Sequence, residues 1–435
     1  MKYYLIGIKG SGMSTLANLL HDLKCVVCGY DDYAGYKFTM KGLEQRNIKI
    51  YTGNNYPDLS KDTVVTYTAA INEEHHEVKR MIELGYQVIP YHELIGNLTK
   101  KLNSICVCGT HGKTTTSFMI ANLLKESIGC SYFVGDGSGY GDNNSDLFVL
   151  ESCEYNKHFL SYSPDNIVIT NIELDHTETY PNIDVMINTF QEFVDKCENN
   201  VIACGDDNNV LKLNIKNGFY YGFNDNNNLV IKNKKVIDNK TNFDIYFNGE
   251  FFDNYSLPLF GDHMILDATA AILVGILFDV DKSIIKKVLS EFKPASRRFN
   301  EESIDDIVIV DDYAHHPTEI KVTYDSAHQK YPDKEIVAVF LPNTYSRTQD
   351  LFDDFVEALK LYDKAYLMDI KCDREKREDY PFVSSKKIVE QISNSEMIDL
   401  DSCNKLLKHK NSVICFMSCA NISPMINKYR ELLKK

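Results

Sequence analysis

The sequence lacks any long uninterrupted apolar segment. Its N-terminus, Met1 to Ile6, is apolar but reaches Gly7 directly afterwards. No uncharged apolar run approaches the ~18 residues that a membrane span needs. We therefore expect a cytoplasmic protein that has no membrane partner.

Basic clusters are missing as well. The chain carries 47 Lys and Arg residues against 62 Asp and Glu residues, which gives a net charge of −15. It has no basic block and no Arg cluster interleaved with aromatic residues, so a nucleic-acid partner is not expected. No interface can be identified in the sequence, and we expect a monomer or a weak homodimer.

Zinc-type cysteine spacing is also absent. None of the 12 Cys residues forms a pair of the kind that holds zinc beside suitable His residues. Cys25 and Cys28 form a C-x-x-C sequence, but they lie in a strand-like run. Reduced, buried thiols are therefore favoured over a redox role.

What the sequence does contain is an alternation of short apolar runs and amphipathic stretches, typical of parallel sheets with crossover helices. A chain of 435 residues can form two to four domains. We predict three α/β domains: Rossmann-like over 1–99, P-loop ATPase-like over 100–294 and Rossmann-like over 295–435. A peripheral antiparallel segment is expected at 208–254, and helices are expected at 15–23, 268–278, 349–361 and 384–393.

The strongest motif is a loop between an apolar run, Ile105 to Cys108, and a helical stretch that begins after Thr116. Glycines that allow close approach, N–H groups at a helix N-terminus and a Lys ammonium together favour a nucleotide phosphate. A glycine expected at position 107 is Val, so the loop is a shortened variant of the P-loop. The candidate nucleotide-binding residues are Gly109, Thr110, His111, Gly112, Lys113, Thr114 and Thr115.

A second glycine-rich turn follows the first apolar run. It resembles a dinucleotide-binding fingerprint, although its glycines are spaced Gly-x-x-Gly-x-Gly. The turn could hold the phosphate of a nicotinamide cofactor or of a nucleotide-linked substrate. The candidate substrate-binding residues are Gly10, Ser11, Gly12, Met13, Ser14 and, after the second strand, Asp31.

Acidic residues and a histidine follow two further apolar runs of the central region. Glu151 and Glu154 come after Leu147–Leu150, and His176 comes after Ile167–Thr170. Ligands gather at the carboxyl ends of parallel strands, so these side chains can converge on the phosphate loop, where magnesium would be held. A dense polar cluster, Asp311 to Glu319, ends a buried-looking strand of the third region.

These motifs resemble those of the Mur ligase family over nearly the whole chain, most closely the branch that joins L-alanine to UDP-N-acetylmuramate. The resemblance implies that the first domain binds the sugar nucleotide, that the second binds ATP and that the third closes over the site. It also implies an acyl-phosphate intermediate in an ATP- and Mg2+-dependent ligation of peptidoglycan synthesis. It assigns ATP phosphate binding to Lys113 and magnesium binding to Thr114, Glu154 and His176. It assigns neutralisation of phosphate charge to Arg298 and nucleotide binding to Asp312. It places His316 and Arg347 near the acceptor.

Four departures from the family pattern bear on activity. Lys9 stands where the family usually has Gly, and Asp267 replaces a common Asn. Asn343 and Thr344 lie in a segment that replaces a Gln-Pro-His-Arg pattern. Residues 418–421, Ser-Cys-Ala-Asn, replace most of a Gly-Ala-Gly-Asp signature.

Three alternatives stay open. A related ligase that adds a peptide or a different amino acid shares almost every motif. A nicotinamide dehydrogenase does not explain the second phosphate loop. A non-catalytic nucleotide-binding homologue is opposed by the presence of Lys113, Glu154 and His176.

Overall fold

The computed structural model describes residues 1–135, 137–295, 297–372 and 375–434. Its strands form three sheets that follow one another along the chain. The predicted α/β class with three domains is therefore confirmed. The boundaries at 99/100 and 294/295 stay a prediction, although the chain passes from one sheet to the next between positions 90 and 103 and between positions 257 and 300.

The first sheet is parallel throughout, with strand order β3-β2-β1-β4-β5. Because strands are added on both sides of β1, a crevice forms at the carboxyl ends beside it. The strands are β1 (Lys2–Ile6), β2 (Val26–Tyr30), β3 (Lys49–Tyr51), β4 (Thr63–Tyr67) and β5 (Gln87–Pro90). The helices are α1 (Ser11–Asp22), α2 (Met40–Gln45), α3 (His76–Glu83) and α4 (Tyr91–Thr99).

The second sheet has nine strands in the order β14-β13-β12-β11-β10-β9-β6-β8-β7. Strands β12 to β14 pair antiparallel and extend an otherwise parallel sheet, within the region where an antiparallel segment is expected. The strands are β6 (Asn103–Cys108), β7 (Ser131–Phe133), β8 (Leu147–Glu151), β9 (Asn166–Ile169), β10 (Val201–Cys204), β11 (Gly218–Gly222), β12 (Leu229–Ile237), β13 (Lys240–Phe247) and β14 (Glu250–Leu257). The helices are α5 (Lys113–Ser127), α6 (Ile183–Val194), α7 (Asp262–Leu277) and α8 (Lys282–Ser290), with 3-10 turns at Tyr155–Ser161 and Val210–Lys212.

The third sheet has six strands in the order β15-β16-β20-β17-β18-β19. Only β15 is antiparallel to its neighbour. The strands are β15 (Asn300–Ile304), β16 (Ile307–Asp312), β17 (Glu335–Phe340), β18 (Lys364–Leu367), β19 (Ser395–Met397) and β20 (Ser412–Met417). The helices are α9 (Pro317–Lys330), α10 (Tyr345–Asp350), α11 (Phe352–Leu359), α12 (Ser385–Val389) and α13 (Ser423–Leu433), with 3-10 turns at Arg377–Asp379 and Cys403–Lys408.

Several helix boundaries differ from expectation. Helix α1 begins four residues earlier than predicted, because the backbone N–H of Ser14 already bonds to Gly10 O at 2.8 Å. The helix expected at 349–361 is divided into α10 and α11 by Leu351, whose ψ is 27°. The apolar period continues across that break, so periodicity alone could not locate it.

Strand β6 positions the phosphate loop. Its residues Ile105 to Cys108 are fully buried, and it pairs with β8 on one side and β9 on the other. The carboxyl ends of these three strands therefore meet at one edge of the sheet. Among the described residues, no helix combines the length and the apolar character that a membrane crossing requires.

Candidate active site

The loop between β6 and α5 depends on two glycines. Gly109 has φ +136°, and a Cβ there would lie 2.1 Å from Thr170 Oγ1. Gly112 has φ +80°, and a Cβ there would lie 2.6 Å from Asp267 Oδ1. Both positions therefore exclude other residues. The loop places the first turn of α5 at the sheet edge. The N–H groups of that turn have no hydrogen-bond partner within the helix.

Lys113 lies inside this loop. Its ammonium donates to Thr110 O at 2.9 Å and to Gly109 O, and it lies 2.9 Å from Glu154 Oε2. Burial lowers the pKa of Lys113, but the negative charge of Glu154 outweighs it and the pKa stands well above its usual value. The side chain is therefore a fixed positive charge beside the helix N-terminus, as a phosphate site requires.

The predicted magnesium ligands divide into two neighbouring groups. Thr114 Oγ1 donates to Glu151, with both carboxylate oxygens at 3.1 Å. His176 Nε2 lies 4.0 Å from Glu154 Oε1. Glu154 is buried, and both of its carboxylate oxygens lie beside the Lys113 ammonium, Oε1 at 3.0 Å and Oε2 at 2.9 Å. The hydroxyl and the two carboxylates are oxygen donors of the kind that Mg2+ prefers, and the His176 imidazole lies beside one of them.

Glu151 is a site residue that the motif-based assignment missed. Besides accepting from Thr114, its Oε2 accepts from the backbone N–H of Gly135 at 2.9 Å. The signal was present in the sequence, because Glu151 and Glu154 both follow the same buried strand. What the sequence could not show is which of the two carboxylates meets the Thr114 hydroxyl.

Side chains of the third domain reach this edge of the central sheet. Arg347 donates from Nε and Nη2 to Asp175 Oδ1 at 3.1 and 3.0 Å. Burial raises the pKa of Asp175, but the Arg347 guanidinium outweighs it and holds the pKa well below its usual range. Thr318 Oγ1 donates to Glu173 at 2.7 Å. Arg347, predicted to receive the acceptor carboxylate, thus holds a carboxylate of the protein itself.

His111 connects the same two domains. Its Nε2 lies 3.0 Å from Glu173 Oε2 in the central domain, and its Nδ1 lies 3.4 Å from Glu319 Oε1 in the third. Burial lowers the pKa of His111, but the two carboxylates outweigh it and raise the pKa to about 9. His111 is therefore a cation at neutral pH and bridges two anions across the domain boundary.

His316 is buried at the start of α9. Its Nδ1 accepts from the backbone N–H of Thr318 at 3.3 Å, and Glu319 completes a capping box. Burial, reinforced by the nearby charge of His111, lowers the pKa of His316 to about 4. The ring is therefore neutral with its proton on Nε2, which meets no hydrogen-bond acceptor among the described residues. In this arrangement His316 Nε2 is shielded from solvent, so it would reach a ligand only after a change in the packing around it.

A cavity of about 1280 Å³ lies between the central and third domains, beside the phosphate loop. Gly112, Thr115 and Asp267 line it from the central domain, and Arg298 and Asp312 line it from the third. The Arg298 guanidinium lies 5.0 Å from the centre of the Tyr313 ring. Burial raises the pKa of Asp312 to about 6, against the opposing charge of Arg298. The cavity can take a nucleotide whose phosphates lie on the loop.

The glycine-rich turn of the first domain leads from β1 into α1. Gly10 precedes helix α1, Ser11 and Gly12 reach the surface, and Met13 and Ser14 are buried. Asp31 is also buried, because its two carboxylate oxygens accept from the backbone N–H groups of Lys9 and Tyr33. Both carboxylate oxygens of Asp31 are thus used by the backbone, and Asp31 fixes the conformation of the turn.

The first and central domains are joined at α1. Thr15 Oγ1 donates to Val134 O at 3.0 Å, and Asn18 Nδ2 donates to Gly137 O at 3.2 Å. The same segment supplies the N–H of Gly135 to Glu151. The two predicted phosphate sites are therefore connected through Val134, Gly135, Gly137 and Glu151.

The departures in the third domain have structural roles. Asn343 Nδ2 donates to Lys371 O at 2.8 Å, and Thr344 precedes α10 with φ +72°, a conformation uncommon for residues other than glycine. Ser418 Oγ donates to Leu341 O at 2.8 Å, and Asn421 Oδ1 accepts from Ser423 N. These side chains hold the loops in which they lie.

Comparison with solved structures gives a consistent result. UDP-N-acetylmuramate-alanine ligase MurC from Thermotoga maritima matches with a TM-score of 0.78 and 23% identity, over 100% of this chain and 99% of that one. A murein peptide ligase, Mpl, from Psychrobacter arcticus matches with 0.68 and 20%, over 100% and 98%. MurF ligase from Thermotoga maritima, solved in complex with ADP, matches with 0.64 and 16%, over 85% and 95%. At these identities the likeness establishes the fold.

Family models cover most of the chain in the order of its three sheets. The model of the Mur ligase family catalytic domain matches residues 2–102, that of the Mur ligase middle domain matches residues 107–275, and that of the Mur ligase glutamate ligase domain matches residues 297–417. The three matches, the shared fold and the phosphate loop at the domain junction agree, and the protein belongs to the Mur ligase family.

Proposed function

We propose that this protein is an ATP-dependent ligase of peptidoglycan synthesis that joins L-alanine to the carboxylate of UDP-N-acetylmuramate. The observation that carries the proposal is the convergence at one sheet edge of Lys113, Thr114, Glu151, Glu154 and His176. Side chains of the third domain, Thr318 and Arg347, contact the central domain near the same edge. The first domain contacts the central domain through α1. Such an arrangement suits phosphoryl transfer between two bound substrates.

The chemistry requires activation, because a free carboxylate does not react with an amine in water. ATP supplies the phosphoryl group that converts the carboxylate to an acyl phosphate, with ADP as the leaving group, and the amine then attacks the acyl carbon and displaces inorganic phosphate. Mg2+ would be held by Thr114, Glu151, Glu154 and His176. Lys113 and the first-turn N–H groups of α5 neutralise the phosphate charge. Lys113 is paired with Glu154 in this structure and would have to leave that carboxylate to contact the phosphates.

The third domain supplies the acceptor side. Arg347 is the proposed partner of the amino-acid carboxylate, since a guanidinium binds a carboxylate in a two-pronged manner. It already holds Asp175 in this way, so its geometry suits such a ligand. After a change in the packing around its Nε2, His316 would stabilise negative charge on the reacting group as an N–H donor rather than take its proton.

A second candidate is a ligase that adds a peptide to the same sugar nucleotide. It is favoured by the likeness to Mpl over the full chain and by Asn343 and Thr344, which remove two expected contacts in the acceptor loop. Both candidates share the phosphate loop and the metal-binding carboxylates. They differ only in what the third domain admits.

The deciding experiment measures phosphate release with ATP, Mg2+ and UDP-N-acetylmuramate, adding in turn L-alanine, glycine, L-serine and a peptide that begins with L-alanine. We expect the greatest specificity constant with L-alanine and release that is about 10²- to 10³-fold slower in Lys113→Ala. Preference for the peptide would establish the second candidate. No release with any acceptor, from folded protein that binds ATP, would contradict both.

A further inference from the structure

Lys9 lies in the glycine-rich turn, and its side chain contacts the segment that follows β2. Only 2% of the residue is exposed, and its ammonium donates to Tyr33 O at 2.7 Å and to Gly35 O at 2.9 Å. A lysine in such a turn would ordinarily serve as a point charge for an anion. Here its charge is taken up by two backbone carbonyls of the segment that follows β2.

The backbone of Lys9 holds the same segment. Its N–H donates to Asp31 Oδ2 at 2.9 Å, and its C=O accepts from Thr39 Oγ1 at 2.7 Å. Lys9 therefore contacts the segment near its beginning, in its middle and at its end. Residues 32–38 form no helix or strand, so these contacts set the course of the chain there.

This segment, residues 32–38, carries an unusual share of the exposed aromatic side chains, and we call it the aromatic segment. Of the five Phe and Tyr residues that are exposed in the described part of the chain, Tyr33, Tyr36 and Phe38 lie within it. The segment follows β2 at the carboxyl edge of the first sheet, where ligands of parallel sheets bind. Exposed aromatic rings grouped at such an edge indicate a binding surface.

We propose that the aromatic segment is a stacking surface for the base of the sugar nucleotide and that Lys9 is the residue that positions it. This inference rests on the proposed function, in which the adjoining turn holds the diphosphate. The nucleoside is bonded directly to that diphosphate and so lies beside the turn. Aromatic side chains bind bases through their flat faces, and the neutral base needs no charge from Lys9.

The proposal separates Lys9 from the phosphate contacts. Backbone N–H groups at the start of α1 would hold the diphosphate, and Lys9 would act on the nucleoside only. Loss of the ammonium should therefore weaken binding of UDP but leave binding of inorganic pyrophosphate unchanged. A direct phosphate role for Lys9 would weaken both.

The test measures UDP and pyrophosphate binding by titration calorimetry in the full-length protein. Lys9→Met keeps the apolar stem and removes the ammonium, and Lys9→Arg restores a donor. We expect UDP affinity to fall about tenfold in Lys9→Met, within the range that stacking of one base contributes, and to recover in part in Lys9→Arg. In turnover, the KM for the sugar nucleotide should rise while kcat and the KM for ATP stay unchanged. Lys41→Met, which changes an exposed lysine of α2, is the matched control.

A second set of variants keeps the test independent of folding at Lys9. Tyr33→Leu, Tyr36→Leu and Phe38→Leu change exposed side chains, and Phe382→Leu provides an exposed aromatic control in the third domain. The three combined changes should weaken UDP binding at least fivefold, whereas the control should not. Equal UDP binding by wild type, Lys9→Met and the triple variant would overturn the inference while leaving the proposed function intact. Absence of UDP binding in wild type would overturn the sugar-nucleotide assignment itself.

Discussion

Replacing Asp267 by Asn removes a carboxyl group that is buried beside the phosphate loop. Asp267 is 6% exposed, and its Oδ1 accepts a hydrogen bond from Thr116 at 2.9 Å, which Asn can also accept. Burial raises the pKa of Asp267 from 3.8 to about 7, although Thr116 and Arg298 oppose the rise. The group is therefore protonated in the folded protein at a pH where it is ionised in the unfolded chain.

The sign and size of the effect on stability follow from that difference. A group whose pKa is raised by folding contributes stability at low pH, and this contribution is lost as the pH rises to the folded pKa. Each pH unit between the two pKa values changes the free energy of unfolding by about 1.4 kcal/mol. From pH 5 to pH 8 the wild type should thus lose about 2.5 kcal/mol relative to Asp267→Asn, and the difference should change little at higher pH.

The assay is urea unfolding of both proteins at pH 5 and pH 8, followed by circular dichroism. Comparing the change in the two proteins cancels the titration of all other groups. Asp262→Asn, an exposed position on the same helix that pairs with Lys234 at 2.6 Å, is the control and should show no such pH dependence. A stability difference between wild type and Asp267→Asn that is the same at both pH values would show that the buried carboxyl is ionised when folded, and would refute the reasoning.

Three further predictions concern catalysis. Lys113→Ala should lower ATP-dependent turnover by about 10²- to 10³-fold, as expected for loss of one preorganised charge, with an unchanged circular dichroism spectrum; normal turnover would remove the loop from the mechanism. Glu154→Gln and His176→Ala should each raise the Mg2+ concentration needed for half-maximal activity and spare UDP binding measured by calorimetry, and loss of UDP binding in both would contradict the division among domains. Arg347→Ala should strongly raise the KM for L-alanine and lower kcat, because the acceptor carboxylate loses its cationic partner; unchanged values of both would place Arg347 outside the acceptor site.

The parts of the site that lie within one stretch of chain could be predicted from the sequence. The phosphate loop requires glycines at positions 109 and 112, and this requirement is visible as a pattern. Strand ends also follow from apolar runs, so the convergence of Glu154 and His176 was foreseeable. These features depend on local backbone geometry, which the sequence encodes directly.

Contacts between domains could not be predicted in the same way. The pairing of Arg347 with Asp175 joins residues 172 positions apart, and nothing near either residue specifies the other. The direction of the Lys9 side chain was also inaccessible, because the same lysine could face an anion or a pair of carbonyls. Such choices depend on packing between elements.

Arg347 already pairs with Asp175, so this internal carboxylate competes with the carboxylate of the acceptor for the guanidinium. An internal carboxylate is present at a high effective concentration, whereas a free amino acid must displace it from solution. The observed affinity for the acceptor would then equal the intrinsic affinity multiplied by the fraction of molecules in which the guanidinium of Arg347 is not paired with Asp175. Since Thr318 and His111 bind carboxylates across the same boundary, that fraction should increase with ionic strength to the extent that water reaches these charges. Salt would weaken both the internal pair and the pair with the acceptor, so its net effect on capture of the acceptor is the difference between these two changes.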